Sequence, residues 1–200
     1  MNKTQLTNFI NKYSLGGEIK STKWTSNGNS LSTRFISGDK SVVGNVVLSK
    51  FSHLDPCELG VYNTAQLSSL LSVLGDDVEV NLSNSGDKFI SMEFVDSKRK
   101  TKSKYMLSDL SVIPTPPELK NLPSEFELGI KVDPYFISTF ISGKGALAEA
   151  ETFTILTENG NTSIVIGYAS IASNRVTIPV ETTQYKEIEP ISFNANMFAS

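Results

Sequence analysis

The sequence holds one cysteine, Cys57, and one histidine, His53, among 200 residues. A single thiol forms no intramolecular disulfide, and one thiol with one imidazole falls short of a Cys/His zinc site. Long apolar runs are missing too: nothing approaches the roughly 18 residues that a membrane helix needs. Residues 1–15 are polar and amphipathic and lack the apolar centre of a signal peptide. The expectation is an intracellular protein with no membrane partner. Signatures of catalysis are also lacking. No G-x-S-x-G elbow accompanies His53, and Cys57 has no basic neighbour in sequence. With no constellation of acid, base and nucleophile, the expectation is a protein that is not an enzyme and needs no cofactor and no metal.

What remains is an ordinary globular composition, 39% apolar and 20% charged, enough for one sizeable core or two modest domains. The net charge of -3 hides a polarity along the chain. Residues 1–50 carry +5, residues 51–110 carry -3 and residues 111–200 carry -5. Such a chain can attract a polyanion on one surface and stay soluble on the others.

The first helix is predicted over Thr4–Ser14, because Leu6, Phe9, Ile10 and Tyr13 recur on one face, with Gly16-Gly17 as the stop. Strand-like stretches follow at 18–25, 30–37 and 42–48. A short strand at 58–62 then leads into a second helix capped by Asn63 and striped by Leu67, Leu70, Leu71 and Leu74. More strands follow at 78–82, 88–95 and 104–107. Residues 111–123 hold four of the eight prolines and read as an extended interdomain linker. After it come a strand at 126–132 and a helix with Asp133 as cap, Pro134 at the first helical position and Phe136, Ile137, Phe140 and Ile141 on one face. Strands at 152–157, 163–168 and 175–180 complete that unit. A fourth start is expected at 190–193, with Asn194 as cap before Met197-Phe198.

The recurrence is an internal repeat. Glu58-Leu59-Gly60-Val61 and Glu127-Leu128-Gly129-Ile130 are nearly the same tetrapeptide 69 residues apart, and at that offset Leu67 and Leu71 fall on Phe136 and Phe140. The expected fold class is α+β, with domain 1 at 1–110, the linker at 111–123 and domain 2 at 124–200.

The run from Glu58 through Asn63 into Leu67-Ser68-Ser69-Leu70-Leu71-Ser72-Val73-Leu74, then Asp76-Asp77-Val78-Glu79-Val80, resembles the first domain of DNA polymerase sliding clamps of T4-like bacteriophages. The linker Ser111-Val112-Ile113-Pro114-Thr115-Pro116-Pro117 is similar to theirs in place and character. The resemblance is strongest over residues 58–117 and rests on the order of elements elsewhere. It implies a DNA clamp fold: two similar domains whose helices line a channel backed by antiparallel sheets. It also implies a homotrimeric ring around duplex DNA that tethers the replicative DNA polymerase, is opened by a clamp loader, and serves other replication or late-transcription factors. The location would be the cytoplasm of the infected bacterial host. A clamp of this family has a complete fourth unit, so the expectation is a sequence shortened at its C-terminal end.

A clamp attracts phosphates without reading bases. Lys3 and Lys12 on the first helix, and Lys144 just past the third, are the candidate DNA-facing residues. Lysine suits this role because a hydrated point charge does not lock bidentately onto one phosphate; the same lysines would also suit a merely solvated face. Leu110, Val112, Ile113 and Pro114 are the candidates for a groove that takes a partner's tail, or for pinning the linker to the sheet. Lys98, Arg99 and Lys100 would contact DNA or the loader, or form a solvated turn. Gly143–Ala148 matches a G-x-G-x-x-A pattern but follows a helix, which excludes phosphate-cradling geometry. Asp76, Asp77 and Glu79 lack calcium-loop spacing. Trp24, beside Lys20 and Lys23, reads as core before it reads as a stacking platform. The alternative from another class is a β-rich virion or tail structural protein in which the basic quarter is incidental.

Overall fold

The computed structural model describes residues 1–118, 124–169, 171 and 173–199. The elements run α1 (Lys3–Ser14), β1 (Thr22–Ser26), β2 (Ser30–Ile36), β3 (Val43–Ser49), β4 (Cys57–Val61), α2 (Thr64–Ser72), β5 (Glu79–Ser85), β6 (Lys88–Asp96) and β7 (Thr101–Met106). Then follow β8 (Gly129–Ile130), α3 (Pro134–Ala146), β9 (Thr152–Glu158), β10 (Asn161–Ile166), β11 (Val176–Val180), β12 (Thr182–Gln184), β13 (Ile191–Asn194) and α4 (Ala195–Ala199). The chain divides into two compact units, residues 1–119 and 120–200. The division falls within the expected linker, of which residues 119–123 lie outside the described residues.

In the first unit α1 starts where the Asn2 side chain accepts the Thr4 N–H, and it stops where Leu15 and Gly16 take left-handed backbone. That stop delays the first strand: the expected strand at 18–25 begins only at Thr22. Sheet order is β3-β2-β1-β4, all antiparallel. The β1–β2 turn is held by the Asn27 side chain, which accepts the Asn29 and Ser30 N–H groups, with Gly28 at φ +85°. Asn63 caps α2 by accepting the Gln66 N–H at 2.9 Å, after which β5-β6-β7 form a second antiparallel sheet.

Both helices and both sheets of this unit share one core. Phe9, Tyr13 and Trp24 meet edge to face with centroids 5.5, 5.5 and 6.4 Å apart. The Trp24 indole N–H donates to the Tyr13 hydroxyl at 3.3 Å, and that hydroxyl lies 3.4 Å from Thr64 Oγ1 at the start of α2. Trp24 is thus a core residue and no stacking platform.

The second unit has sheet order β11-β10-β9-β13 and a separate β8-β12 pair. The expected strand at 126–132 is reduced to Gly129–Ile130, and β12, its partner, carries too short a pattern to read from sequence. Asp133 caps α3 by accepting the Phe136 N–H at 2.7 Å, and Asn194 accepts the Met197 N–H at 3.0 Å. The core gathers Phe136, Phe140 and Phe153, with the Phe198 ring set against all three. Of the four apolar residues expected on one face of α3, Phe136 and Phe140 are buried, and Ile137 and Ile141 are 45% and 49% exposed. Counted from the N-caps they match Leu6 and Ile10, which are buried in the core that α1 and α2 share.

Burial pushes the Tyr13 phenol up from 10 to about 12. The unfolded chain therefore releases that proton first as pH rises, and stability that is complete below pH 10 is lost progressively up to about pH 12. The loss amounts to about 3 kcal/mol. Denaturant midpoints measured from pH 8 upward should fall across this window, and Tyr13→Phe should flatten the fall.

Candidate functional site

The helices carry the clearest functional signal. Among the described residues none of the four α-helices contains an aspartate or glutamate, although the chain has 21. The charged residues of these described helices are Lys3, Lys12 and Lys144. Glutamate is among the better helix formers and favours the first turn, so an exposed helix face normally carries some. Here both α1 and α2 have glutamine at the third helical position, where a capping box takes Glu or Gln equally. Simple counting within the expected helices would have exposed this, and the residue-by-residue search for cations misses it.

The three lysines differ in setting. Lys12 is exposed in the last turn of α1. Lys3 is half-buried, and its ammonium donates to the Leu74 carbonyl just past the end of α2. Lys144 donates to the Ala148 carbonyl at 2.8 Å beyond α3. The latter two ammonium groups thus satisfy carbonyls at helix ends, where a cation is also favoured by the helix dipole.

The basic turn between β6 and β7 is built on a residue that the sequence does not single out. The buried Asp96 carboxylate accepts the Gly75 N–H at 2.7 Å and the Arg99 N–H at 3.0 Å, with Arg99 Nε at 3.8 Å. These backbone donors hold its carboxyl below the usual carboxylate range. Lys98 pairs with Asp77 at 3.4 Å, Arg99 with Asp96, and Lys100 sits at φ +54° with its side chain in solvent.

The four residues expected to line one groove are not brought together. Ile113 is 3% exposed and belongs to the interior, whereas Val112 is 59% exposed. The physical reason is a close approach of chains. The Ser108 N–H donates to the Gly60 carbonyl at 2.9 Å, and a Cβ at Gly60 would collide with the Ser108 carbonyl oxygen and touch Ile113. Ile113 therefore pins the segment to β4. Leu110 lines a cleft of about 480 Å³ with Gly60, Lys88, Phe89 and Leu107, across which Lys88 and Asp109 are ion-paired. Pro114 lies elsewhere, between a cleft of about 320 Å³ that includes Arg34 and one of about 550 Å³ that includes Ile36 and Lys40. Residues 114–117 thus run over the outer face of the β3-β2-β1-β4 sheet, with Arg34 donating to the Pro117 carbonyl.

His53 stacks edge to face with Phe51, and burial pushes the Cys57 thiol up, away from reactivity.

Solved structures share the fold of this chain. The proliferating cellular nuclear antigen of Entamoeba histolytica superposes with a TM-score of 0.60 over 99% of this chain and 80% of its own, at 15% identity. PCNA of Thermococcus kodakaraensis does so with a TM-score of 0.66 over 100% of this chain and 81% of its own, at 9% identity. The fold is that of the DNA clamps. No family model matches the sequence, and no curated protein does. Within the clamp fold, Leu110–Pro117 is the segment that leads out of the first unit, and its anchoring is a property of that unit alone.

Pinning and docking separate by mutation. Ile113→Ala should destabilise the protein by about 2–4 kcal/mol, whereas Val112→Ala should stay within about 0.5 kcal/mol of the parent in urea titrations.

Proposed function

We propose that this protein is a sliding clamp that encircles duplex DNA and holds a replicative DNA polymerase on it, conferring processivity without chemistry of its own. The observation that carries the reading is the absence of every carboxylate from the four α-helices among the described residues, in a chain of net negative charge. A surface that must lie along phosphates gains from excluding like charge and needs only a few diffuse cations. The clamp fold along the whole chain agrees with it. Tethering then acts through effective concentration: a partner bound to a ring that cannot leave the strand re-engages before it diffuses away.

The finer reading follows the resemblance of residues 58–117 to T4-like phage clamps. On it the ring is a homotrimer made in the cytoplasm of an infected bacterium. A clamp loader opens it, and the polymerase and other replication or late-transcription factors dock on it. Lys3, Lys12 and Lys144 supply the basic helix charge, and the face beneath residues 114–117 receives partners. Lys98, Arg99 and Lys100 are the further candidates for contact with DNA or the loader.

Light scattering during size exclusion should give three times the monomer mass, falling at low concentration. Primer extension with a cognate polymerase and loader should give longer products per binding event. A monomer at every concentration that leaves product length unchanged would overturn the reading, and recovery of the protein as a stoichiometric part of purified particles would replace it with the virion alternative.

A second test opposes stability and function. Gln5→Glu and Gln66→Glu place carboxylates at exposed first-turn positions, where each should stabilise its helix by about 0.3–1 kcal/mol. The doubly substituted protein should melt no lower than the parent yet give shorter products, with the deficit growing as salt is lowered.

A further inference from the structure

On β1 and β2 the side chains alternate, so that Trp24, Leu31, Thr33 and Phe35 enter the core while Lys23, Ser32 and Arg34 face outward. Lys23 and Arg34 are paired directly across the two strands. Like charges in that position repel. Their row is flanked by Asn45 on β3 and by Gly60 on β4, neither of which offers a carboxylate. Glu58 answers only Lys23, at 3.7 Å.

Arg34 has no acid partner among the described residues. One arm of its guanidinium donates to the Pro117 carbonyl, while Nε is shielded from water and has no acceptor among the described residues. Nε is thus closed to an incoming group, but the guanidinium as a whole lines an open cleft without a described carboxylate partner of its own, and a carboxylate is the acceptor that matches it best. Space for one exists: Arg34, Lys23, Asn45 and Ser32 floor the cleft of about 320 Å³ that Pro114–Pro116 wall. Pro114 and Thr115 also wall the neighbouring cleft of about 550 Å³, which is lined by Ile36, Pro117 and the basic Lys40.

We infer that the Arg34 cleft receives the side-chain carboxylate of an extended partner segment whose neighbouring apolar residue fills the Ile36–Pro117 cleft. The inference rests on the proposal that this face docks partners, and it adds the chemistry by which they are chosen. Two cations against one carboxylate in the first cleft, and Lys40 beside the second, give the complementary charge. The proline-rich wall lets a segment gain both contacts against a preset surface.

The test uses the full chain, fluorescently labelled, on an array of short peptides. Each peptide holds one fixed apolar residue and carries Asp, Glu, Asn or Gln at each other position in turn, with a free or an amidated C-terminus. Acidic members should bind about tenfold better than their amide counterparts at one or two spacings from the apolar residue, and the preference should shrink with added salt. Arg34→Gln should abolish it, and so should Lys23→Gln, which lies on the exposed face and leaves the Pro117 contact intact. A thermal melt of each variant establishes that it is folded. Equal binding of acidic and amide peptides, or an acid preference unchanged in both variants, would overturn the inference. Loss of binding on amidation alone would overturn the side-chain assignment in favour of a terminal carboxylate. Threefold mass with processive synthesis but no acid preference would sink this site and leave the clamp reading standing; acid preference in a monomer that fails processivity would do the reverse.

Discussion

The first unit depends on one junction, the burial of Phe9, Tyr13 and Trp24 against each other with the Tyr13 hydroxyl between the Trp24 indole and Thr64. Three elements meet there, the first helix, the first sheet and the start of the second helix, so the inward face of each is fixed at once. A helix or sheet committed on one face has the other face free for function. The acid-free helix surfaces and the Lys23–Arg34 row both lie opposite faces that this core has already claimed.

Excluding carboxylates from a helix has a structural consequence, since acidic residues are the usual way to answer the positive N-terminal end. The caps supply the substitute. Asn2, Asn63 and Asn194 satisfy first-turn N–H groups with neutral amides, and the one charged cap, Asp133, stands just outside its helix. Lys3 sits at the end of α1 that its own dipole disfavours, and its bond to the Leu74 carbonyl past α2 offsets this. Neutral capping and cation exchange between neighbouring helices together keep these helices stable without acids.

What the sequence made legible was local. The stripe Leu6, Phe9, Ile10, Tyr13 and the Asn63 and Asp133 caps are short-range patterns, and each lies where periodicity and capping place it. The exposure of Ile137 and Ile141 was not legible, because periodicity identifies an apolar face but does not say how much of it a neighbouring element covers. The groove residues were misjudged for a related reason. Leu110, Val112, Ile113 and Pro114 are adjacent in sequence, yet the close approach of Ser108 to Gly60 turns Ile113 inward and Val112 outward, and it separates the flanking clefts. Asp96 and Arg34 have no sequence signature at all. Asp96 matters through two backbone N–H groups, and Arg34 through a register pairing and a distant proline carbonyl.

The two surfaces use cations in opposite ways, and the choice of residue follows. On the proposed clamp reading the helices would offer lysine only to a sliding contact, and two of the three ammonium groups are partly spent on helix-end carbonyls. Attraction to phosphate would then be weak and without register, as a protein held by enclosure requires. For the proposed discriminating contact the sheet offers arginine, fixed by the Pro117 carbonyl and facing a like charge across the strand. A held guanidinium favours a narrow range of acceptor geometries. On the proposed docking, the repulsion between Lys23 and Arg34 is the term that an incoming acid would relieve.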